Sequence, residues 1–242
     1  MKRFYLRSVQ MHPLRERSYL TDLPAVRHLE KTGGLDFTSD VTFFVGENGT
    51  GKSTLLEAIA VAAGYNAEGG SRNFRFATRD TTSSLHESLT LVREAHPHDG
   101  FFLRAESFYN VATQIDDLEV GANYGPQSLH EQSHGESFLA LVQNRFWGNG
   151  LYLLDEPEAA LSPLRQMTLL REIRRLASRE NSQFLIATHS PVLMAYPDAC
   201  IYQFTENGIA QTEYRDCEHY RLMHDFLSQP ERFVSYLFRD ED

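Results

Sequence analysis

Two cysteines in 242 residues, Cys200 and Cys217, are too few for a disulfide scaffold and lack the usual metal-ligand spacing, so both are expected as free thiols. No stretch of eighteen apolar residues runs without charge, and none reads as a membrane-spanning helix. The opening MKRFYLRSVQMHPLRER sets Arg7, Arg15 and Glu16 where a secretory signal needs an apolar block, so a cytoplasmic chain is expected. Positive charge is short as well: 33 acidic residues against 23 basic ones give a formal net charge of −10, which disfavours nucleic-acid binding through the whole surface. Repeats, low-complexity tracts and Pro/Ser-rich linkers are missing, so one domain over 1–242 is expected. Lysine is the scarcest cation, with only Lys2, Lys31 and Lys52, and the third sits inside a glycine-rich loop.

That loop carries the first chemistry. Val41 to Val45 reads as a buried strand and breaks into Gly46-Glu47-Asn48-Gly49-Thr50-Gly51-Lys52-Ser53-Thr54, which fits G-x-x-x-x-G-K-[ST]. Glycines let successive N–H groups turn inward, and the next helix aims its positive dipole end at the same point, so a polyphosphate fits there. Lys52 is expected to neutralise the β- and γ-phosphates of ATP, and the Ser53 hydroxyl to ligate Mg²⁺. Leu55, Leu56, Ala58, Ile59 and Val61 continue the helix towards Gly64.

A second apolar run, Leu151 to Leu154, ends in Asp155-Glu156-Pro157-Glu158 and reads as a central parallel strand with acids at its carboxyl end. Consecutive strand residues point opposite ways, so the two acids are expected to divide the work. Asp155 holds Mg²⁺ and Glu156 orients or deprotonates the attacking water. A third strand, Gln183 to Thr188, places His189 on the same edge, where it is expected to sense the γ-phosphate.

Residues 130 to 134, His-Glu-Gln-Ser-His, match the zinc-hydrolase pattern H-E-x-x-H, with Glu156 or Glu158 as a third ligand. That remote alternative needs both histidines on one helical face. Ser133-x-x-Glu136 is instead a capping box, which starts the helix at residue 134 and leaves His130 in the preceding loop. Phe138, Leu139, Leu141, Val142 and Phe146 recur at helical spacing behind it. A serine cap followed by Gly135 at an exposed helix start is an anion site.

Ser133-His134-Gly135-Glu136-Ser137 resembles the signature motif of ATP-binding-cassette (ABC) ATPases, with the acidic ending seen in the Rad50 and SMC branch. The order of phosphate loop, signature, Asp-Glu strand, Ala159-Ala160-Leu161-Ser162 loop and His189 is similar to that superfamily. SHGESFLALVQNRF, LYLLDEPEAALSP and IATHSPVLMAYPDA resemble small stand-alone ATPases usually called AAA-family but ABC-like in motif order. The resemblance spans nearly the whole chain. It implies an α/β P-loop fold of ABC-ATPase type, a mostly parallel central sheet flanked by helices, with a short helical signature subdomain. The core lobe would comprise about 1–105 and 147–242, and the signature insertion about 107–146.

The resemblance also implies Mg²⁺-dependent ATP hydrolysis in two composite sites of an ATP-dependent homodimer joined head to tail. Ser133, Gly135 and Glu136 then act on the partner's nucleotide, while Lys52, Asp155, Glu156 and His189 act on the chain's own. Two departures stand out: His134 replaces the usual second glycine, and Ser162 stands where the family often has aspartate. The output is read as a mechanical or regulatory switch in DNA maintenance or defence, its recipient an effector protein or DNA. A membrane partner, as for the energy-coupling subunit of a transporter, is the alternative. The glutamine-loop residue is either Glu106 or Gln114, and the adenine-stacking aromatic is one of Tyr5, Tyr19 and Phe37.

The remaining readings are local. Residues 66 to 86, with Gly69-Gly70, Arg72, Arg75 and Arg79, are expected as a mobile surface segment. Ser162-Pro163 starts a helix whose Leu164, Leu169, Leu170, Ile173, Leu176 and Ala177 face the sheet, while Arg171, Arg174, Arg175 and Arg179 form a solvated stripe. Asn207-Gly208 predicts a two-residue hairpin turn, and Asp216 to Phe238 two helices, the second opened by a Ser228-to-Glu231 capping box.

Overall fold

The computed structural model describes residues 4–16, 18–72, 83–117 and 129–238. Along the chain come β1 (Ser8–Met11), α1 (Pro24–Thr32), β2 (Gly34–Asp36), β3 (Val41–Gly46), α2 (Lys52–Ala62), β4 (Leu89–Val92), β5 (Asp99–Arg104), α3 (Phe108–Asp117), α4 (His134–Arg145), β6 (Gly150–Asp155), α5 (Pro163–Arg179), β7 (Gln183–Ala187), α6 (Pro191–Met194), β8 (Cys200–Thr205), β9 (Gly208–Thr212), α7 (Glu218–Ser228) and α8 (Pro230–Leu237). The main sheet has the order β5-β6-β7-β3-β8-β9; its pairings are parallel except β8 with β9. A smaller antiparallel sheet has the order β2-β1-β4. This is the expected α/β architecture, and the parallel pairing brings the carboxyl ends of β3, β6 and β7 to one edge.

The strands are buried on both faces, and the pleat divides their side chains between two cores. Phe43 and Val45 of β3, Tyr152 and Leu154 of β6, and Phe184 and Ile186 of β7 join Phe108 and Val111 of α3, Phe138 and Val142 of α4, and Leu169 and Ile173 of α5. Phe44, Leu153 and Leu185 point the other way, onto Leu55, Leu56 and Ile59 of α2 and the small sheet. Phe146 stacks on Tyr152 at 4.2 Å between ring centroids and ties the end of α4 to β6.

Several local expectations shift. Gly69, Gly70 and Ser71 are buried rather than on the surface, because Gly70 exchanges backbone hydrogen bonds with Phe102 (2.7 and 3.0 Å) and covers the free edge of β5. Ser84–Ser88 forms a 3₁₀ turn that buries Leu85. Arg75 and Arg79 lie outside the described residues, as does 118–128 of the signature interval. Leu164 is exposed at the start of α5, one turn before the stripe that reaches the sheet. Arg175 of the arginine stripe is paired with Glu172 and Glu180. The hairpin turn is Glu206-Asn207, one residue earlier than Asn207-Gly208, because the Thr205 hydroxyl accepts from Asn207 N–H (3.2 Å) and donates to the Gly208 carbonyl (3.3 Å). No capping box opens α8: Pro230 takes its first position, which makes Gln229 the cap and leaves Ser228 in α7. Among the described residues no helix is long and apolar enough to cross a membrane.

Candidate functional site

The glycine loop joins β3 to α2 at the sheet edge. Gly46 takes φ +134°, and a Cβ there would collide with the Phe204 carbonyl of β8. Gly51 caps α2 at φ +99°, with a Cβ position 2.9 Å from Ala25 Cβ, so α1 and the loop touch at glycine distance. Ala25 N–H also donates to the Thr50 carbonyl (3.2 Å). Glu47, Asn48 and Gly49 are exposed at the tip of the loop. Lys52 is buried, and its Nζ donates to the Glu47 carbonyl at 2.8 Å, folding the ammonium into the loop's own concavity. Burial holds its pKa below the ordinary lysine range, partly offset by Glu156, Asp155, Glu47 and Glu158.

Asp155 ends β6 in register with Arg104 of β5 and Ala187 of β7. Its carboxyl is pushed up to about 6, chiefly by burial, while Arg104 and a hydrogen bond from Ser53 act the other way. Asp155 Oδ1 is buried without a hydrogen-bond partner. A hydroxyl, a carboxylate and an unsatisfied buried oxygen are hard donors suited to Mg²⁺, so the residues present fit that ion. Arg104, which motif spacing does not single out, joins Glu57 (2.8 Å), Asp155 (3.4 Å) and Glu106 (3.6 Å). Glu106, rather than Gln114, lines the open cavity of about 260 Å³ shared by Ser53, Arg104, His134, Asp155 and Glu156.

Glu156 lines the same cavity as Asp155 rather than the opposite face that pleat alternation would give it. The strand ends at Asp155, and Glu156 adopts φ 48°, ψ 50°, a left-handed backbone uncommon outside glycine, asparagine and aspartate. Its Oε1 lies 3.6 Å from His189 Nε2. His189 follows β7, and its N–H donates to Glu158 Oε1, a buried carboxylate whose pKa is raised chiefly by desolvation. Burial, with Lys52 and His219 nearby, holds the His189 imidazole below the ordinary histidine range. His219 of α7, another residue without a motif, sets its Nε2 3.0 Å from His189 Nδ1.

The signature residues cluster at the start of α4, whose first residue, His134, lines the same cavity. Ser133 and Glu136 make the expected capping box: Ser133 N–H donates to Glu136 Oε2 at 3.1 Å, and the Ser133 hydroxyl bonds the same oxygen. Arg165 of α5 adds bonds to the Ser133 hydroxyl (3.3 Å) and Glu136 Oε1 (2.8 Å). A Cβ at Gly135 would lie 2.8 Å from the Ala160 carbonyl, so only glycine lets this turn lie against the Ala159–Ser162 loop. His134 packs against Phe108 and Tyr109 at 5.3 and 5.0 Å, while His130 lies in the turn Leu129–Glu131 beside Thr113 Oγ1 (3.3 Å). The two histidines of the zinc pattern thus belong to different elements. Of the three candidate stacking aromatics, Tyr5 and Phe37 are buried, and Tyr19 is exposed in the turn that leads to α1.

Two family models match separate stretches: residues 24–111 match one described as "AAA domain", and residues 128–195 one described as "AAA domain, putative AbiEii toxin, Type IV TA system". The first holds the glycine loop; the second holds the signature cluster, Asp155, Glu156 and His189. The chain is 26% identical over 171 residues to the thiamine import ATP-binding protein ThiQ of Photobacterium profundum, which covers 63% of this chain and 68% of that protein. It is 23% identical over 223 residues to the L-cystine transport system ATP-binding protein TcyN of Escherichia coli, covering 78% and 88% respectively. Among solved structures, cbiO1 from Clostridium perfringens, part of the ABC transporter complex cbiONQ, matches 98% of this chain and 99% of that one with a TM-score of 0.50 and 14% identity. That last likeness concerns the fold.

Proposed function

We propose that this chain, a P-loop ATPase of the ABC type, hydrolyses Mg·ATP in two composite sites of a head-to-tail homodimer, whose closing and opening is its output. The observation that carries this reading is that Ser133 and Gly135 are not among the residues lining the cavity of Ser53, Asp155 and Glu156, although their neighbour His134 is. Lys52, Ser53, Asp155, Glu156 and His189 converge at one sheet edge, whereas Ser133 and Gly135 sit at the start of α4, and the Ser133 side chain bonds only Glu136 and Arg165 among the described residues. A helix start with a serine cap is built for an anion, and a second copy supplies one.

In this reading the loop N–H groups and the α2 dipole hold the phosphates, and Lys52 exchanges the Glu47 carbonyl for phosphate oxygens. Ser53 and Asp155 would hold Mg²⁺, which would supply charge neutralisation for the phosphates when bound. Glu156 orients the attacking water and accepts its proton, and His189 donates through Nε2 to the γ-phosphate. Ser133 and Gly135, with Glu136 behind them, close over the γ-phosphate of the facing subunit. Tyr19 is the adenine-stacking residue, since its ring is exposed where the other two aromatics are enclosed.

The recipient of the work is an effector protein or DNA. A second reading, the energy-coupling subunit of a membrane transporter, has the likeness to the transport ATP-binding proteins ThiQ and TcyN in its favour. Co-purification with a membrane protein would select it; a salt-sensitive shift of DNA that requires ATP would select DNA. For the chemistry, Glu156→Gln is expected to slow turnover about 10²- to 10⁴-fold with ATP affinity retained. Lys52→Ala is expected to abolish tight ATP binding. Wild-type turnover in the first or wild-type affinity in the second contradicts the assignment.

A further inference from the structure

His189 has two ring nitrogens with different neighbours. Nε2 faces Glu156 Oε1 at 3.6 Å and is otherwise without a hydrogen-bond partner, while Nδ1 lies 3.0 Å from His219 Nε2. The rings meet edge to face, 5.0 Å between centroids at 63°. His219 Nε2 in turn lies 3.7 Å from Glu47 Oε1 of the glycine loop, and its own Nδ1 is buried without a hydrogen-bond partner.

A neutral imidazole carries one N–H, and the hydrogen bond made by one nitrogen fixes which of them has it. Burial and Lys52 keep His189 neutral at ordinary pH, so its tautomer, rather than its charge, decides whether Nε2 can donate. Two arrangements satisfy the 3.0 Å contact. With the shared proton on His189 Nδ1, a bare Nε2 lone pair would face the Glu156 carboxylate, and a bare His219 Nε2 would lie towards the Glu47 carboxylate. Both pairings are repulsive. With the proton on His219 Nε2, that N–H lies between His189 Nδ1 and Glu47, and the His189 proton moves to Nε2, facing Glu156. Both carboxylates favour this second arrangement.

The start of α7 is built to hold such a partner still. Cys217, the residue before His219's turn, is fully buried in the sheet core, and the Tyr214 hydroxyl donates to the Pro191 carbonyl at 3.1 Å, two residues after His189. His219 and His189 are thus carried by segments pinned to each other.

We infer that His219 is a positioning residue of the ATPase site: its Nε2–H holds His189 in the Nε2-protonated tautomer, with that N–H turned to the catalytic edge. The inference rests on the reading of His189 as the γ-phosphate donor. It makes helix α7 part of the hydrolytic apparatus.

The test compares His219→Ala, His219→Gln and His189→Ala in the full-length protein, by ATP turnover and by ¹⁵N NMR of the histidine tautomers without nucleotide. Removing the partner that orients a functional imidazole at a metal site costs about 10- to 100-fold, and a comparable loss is expected here. His219→Ala should lower kcat about ten-fold or more with KM for ATP within two-fold, and the His189 signal should leave the pure Nε2–H pattern. His219→Gln, whose amide N–H reaches the same place, should restore both. Wild-type kcat and an unchanged His189 tautomer in His219→Ala, alongside an inactive His189→Ala, overturn the role of His219 alone. Wild-type kcat in His189→Ala overturns the γ-phosphate reading itself, and with it the positioning role.

Discussion

Asp155 shows how a buried carboxylate suited to a metal affects the chain that carries it. Its folded pKa of about 6 stands above the ordinary 3.8, so burial disfavours the charged form. Because the folded value is raised for an acid, the cost is absent below the ordinary value, grows between the two values and is complete above the folded one. In EDTA, Asp155→Asn should therefore melt several degrees higher than wild type at pH 8 and no higher at pH 3, with a ceiling of about 3 kcal/mol for a shift of this size. A lower melting temperature for the variant at pH 8, followed by differential scanning calorimetry, contradicts this account. The fold of the site's first residues is legible because the glycine loop and the acid pair are contiguous motifs beside strands. Arg104, Arg165 and His219 carry no such signal. Each acts through partners far away in sequence, as Arg104 does with Glu57 and Asp155, and only the packed sheet brings them together. The left-handed backbone of Glu156 was not legible, since a residue before a proline at a strand end carries no strand-like pattern.

Element-scale behaviour is clearest in α4. Its start is set by the Ser133–Glu136 capping box, which the spacing alone predicts, and its end by a buried cluster that the spacing does not. Arg145 donates to Asp99 Oδ1 at 2.7 Å, and the Tyr152 hydroxyl donates to Asp99 Oδ2 at 2.6 Å. Burial pushes the Asp99 carboxyl up, but Tyr152, Arg145 and the Trp147 N–H outweigh it and hold it below the usual range. With both side chains of the ion pair only 10% exposed, removing one leaves the other charged and enclosed. Asp99→Ala should destabilise the protein by about 3 to 5 kcal/mol. A urea-unfolding shift below about 1 kcal/mol would show that the pair contributes little. The shifted boundaries elsewhere have local causes: the Thr205 hydroxyl closes its own turn, and Pro230, with its fixed φ and no N–H, claims the first position of α8.

At the scale of the whole molecule, a mostly parallel sheet with helices on both faces places the phosphate-binding and acid-bearing ends together, with the start of the signature helix at the rim of the same cavity. The fold was legible because near-continuous apolar runs in β3, β6 and β7 fit strands buried on both faces of such a sheet. The partner was not, since every recognisable motif concerns the nucleotide. In the proposed account an ATP-gated dimer completes the site, each copy's Ser133 and Gly135 meeting the other's γ-phosphate. The most direct measurement is the solution mass of Glu156→Gln by light scattering, with and without Mg·ATP. The account predicts a monomer without nucleotide and a doubled mass with it; a mass that stays monomeric at saturating Mg·ATP contradicts the composite site.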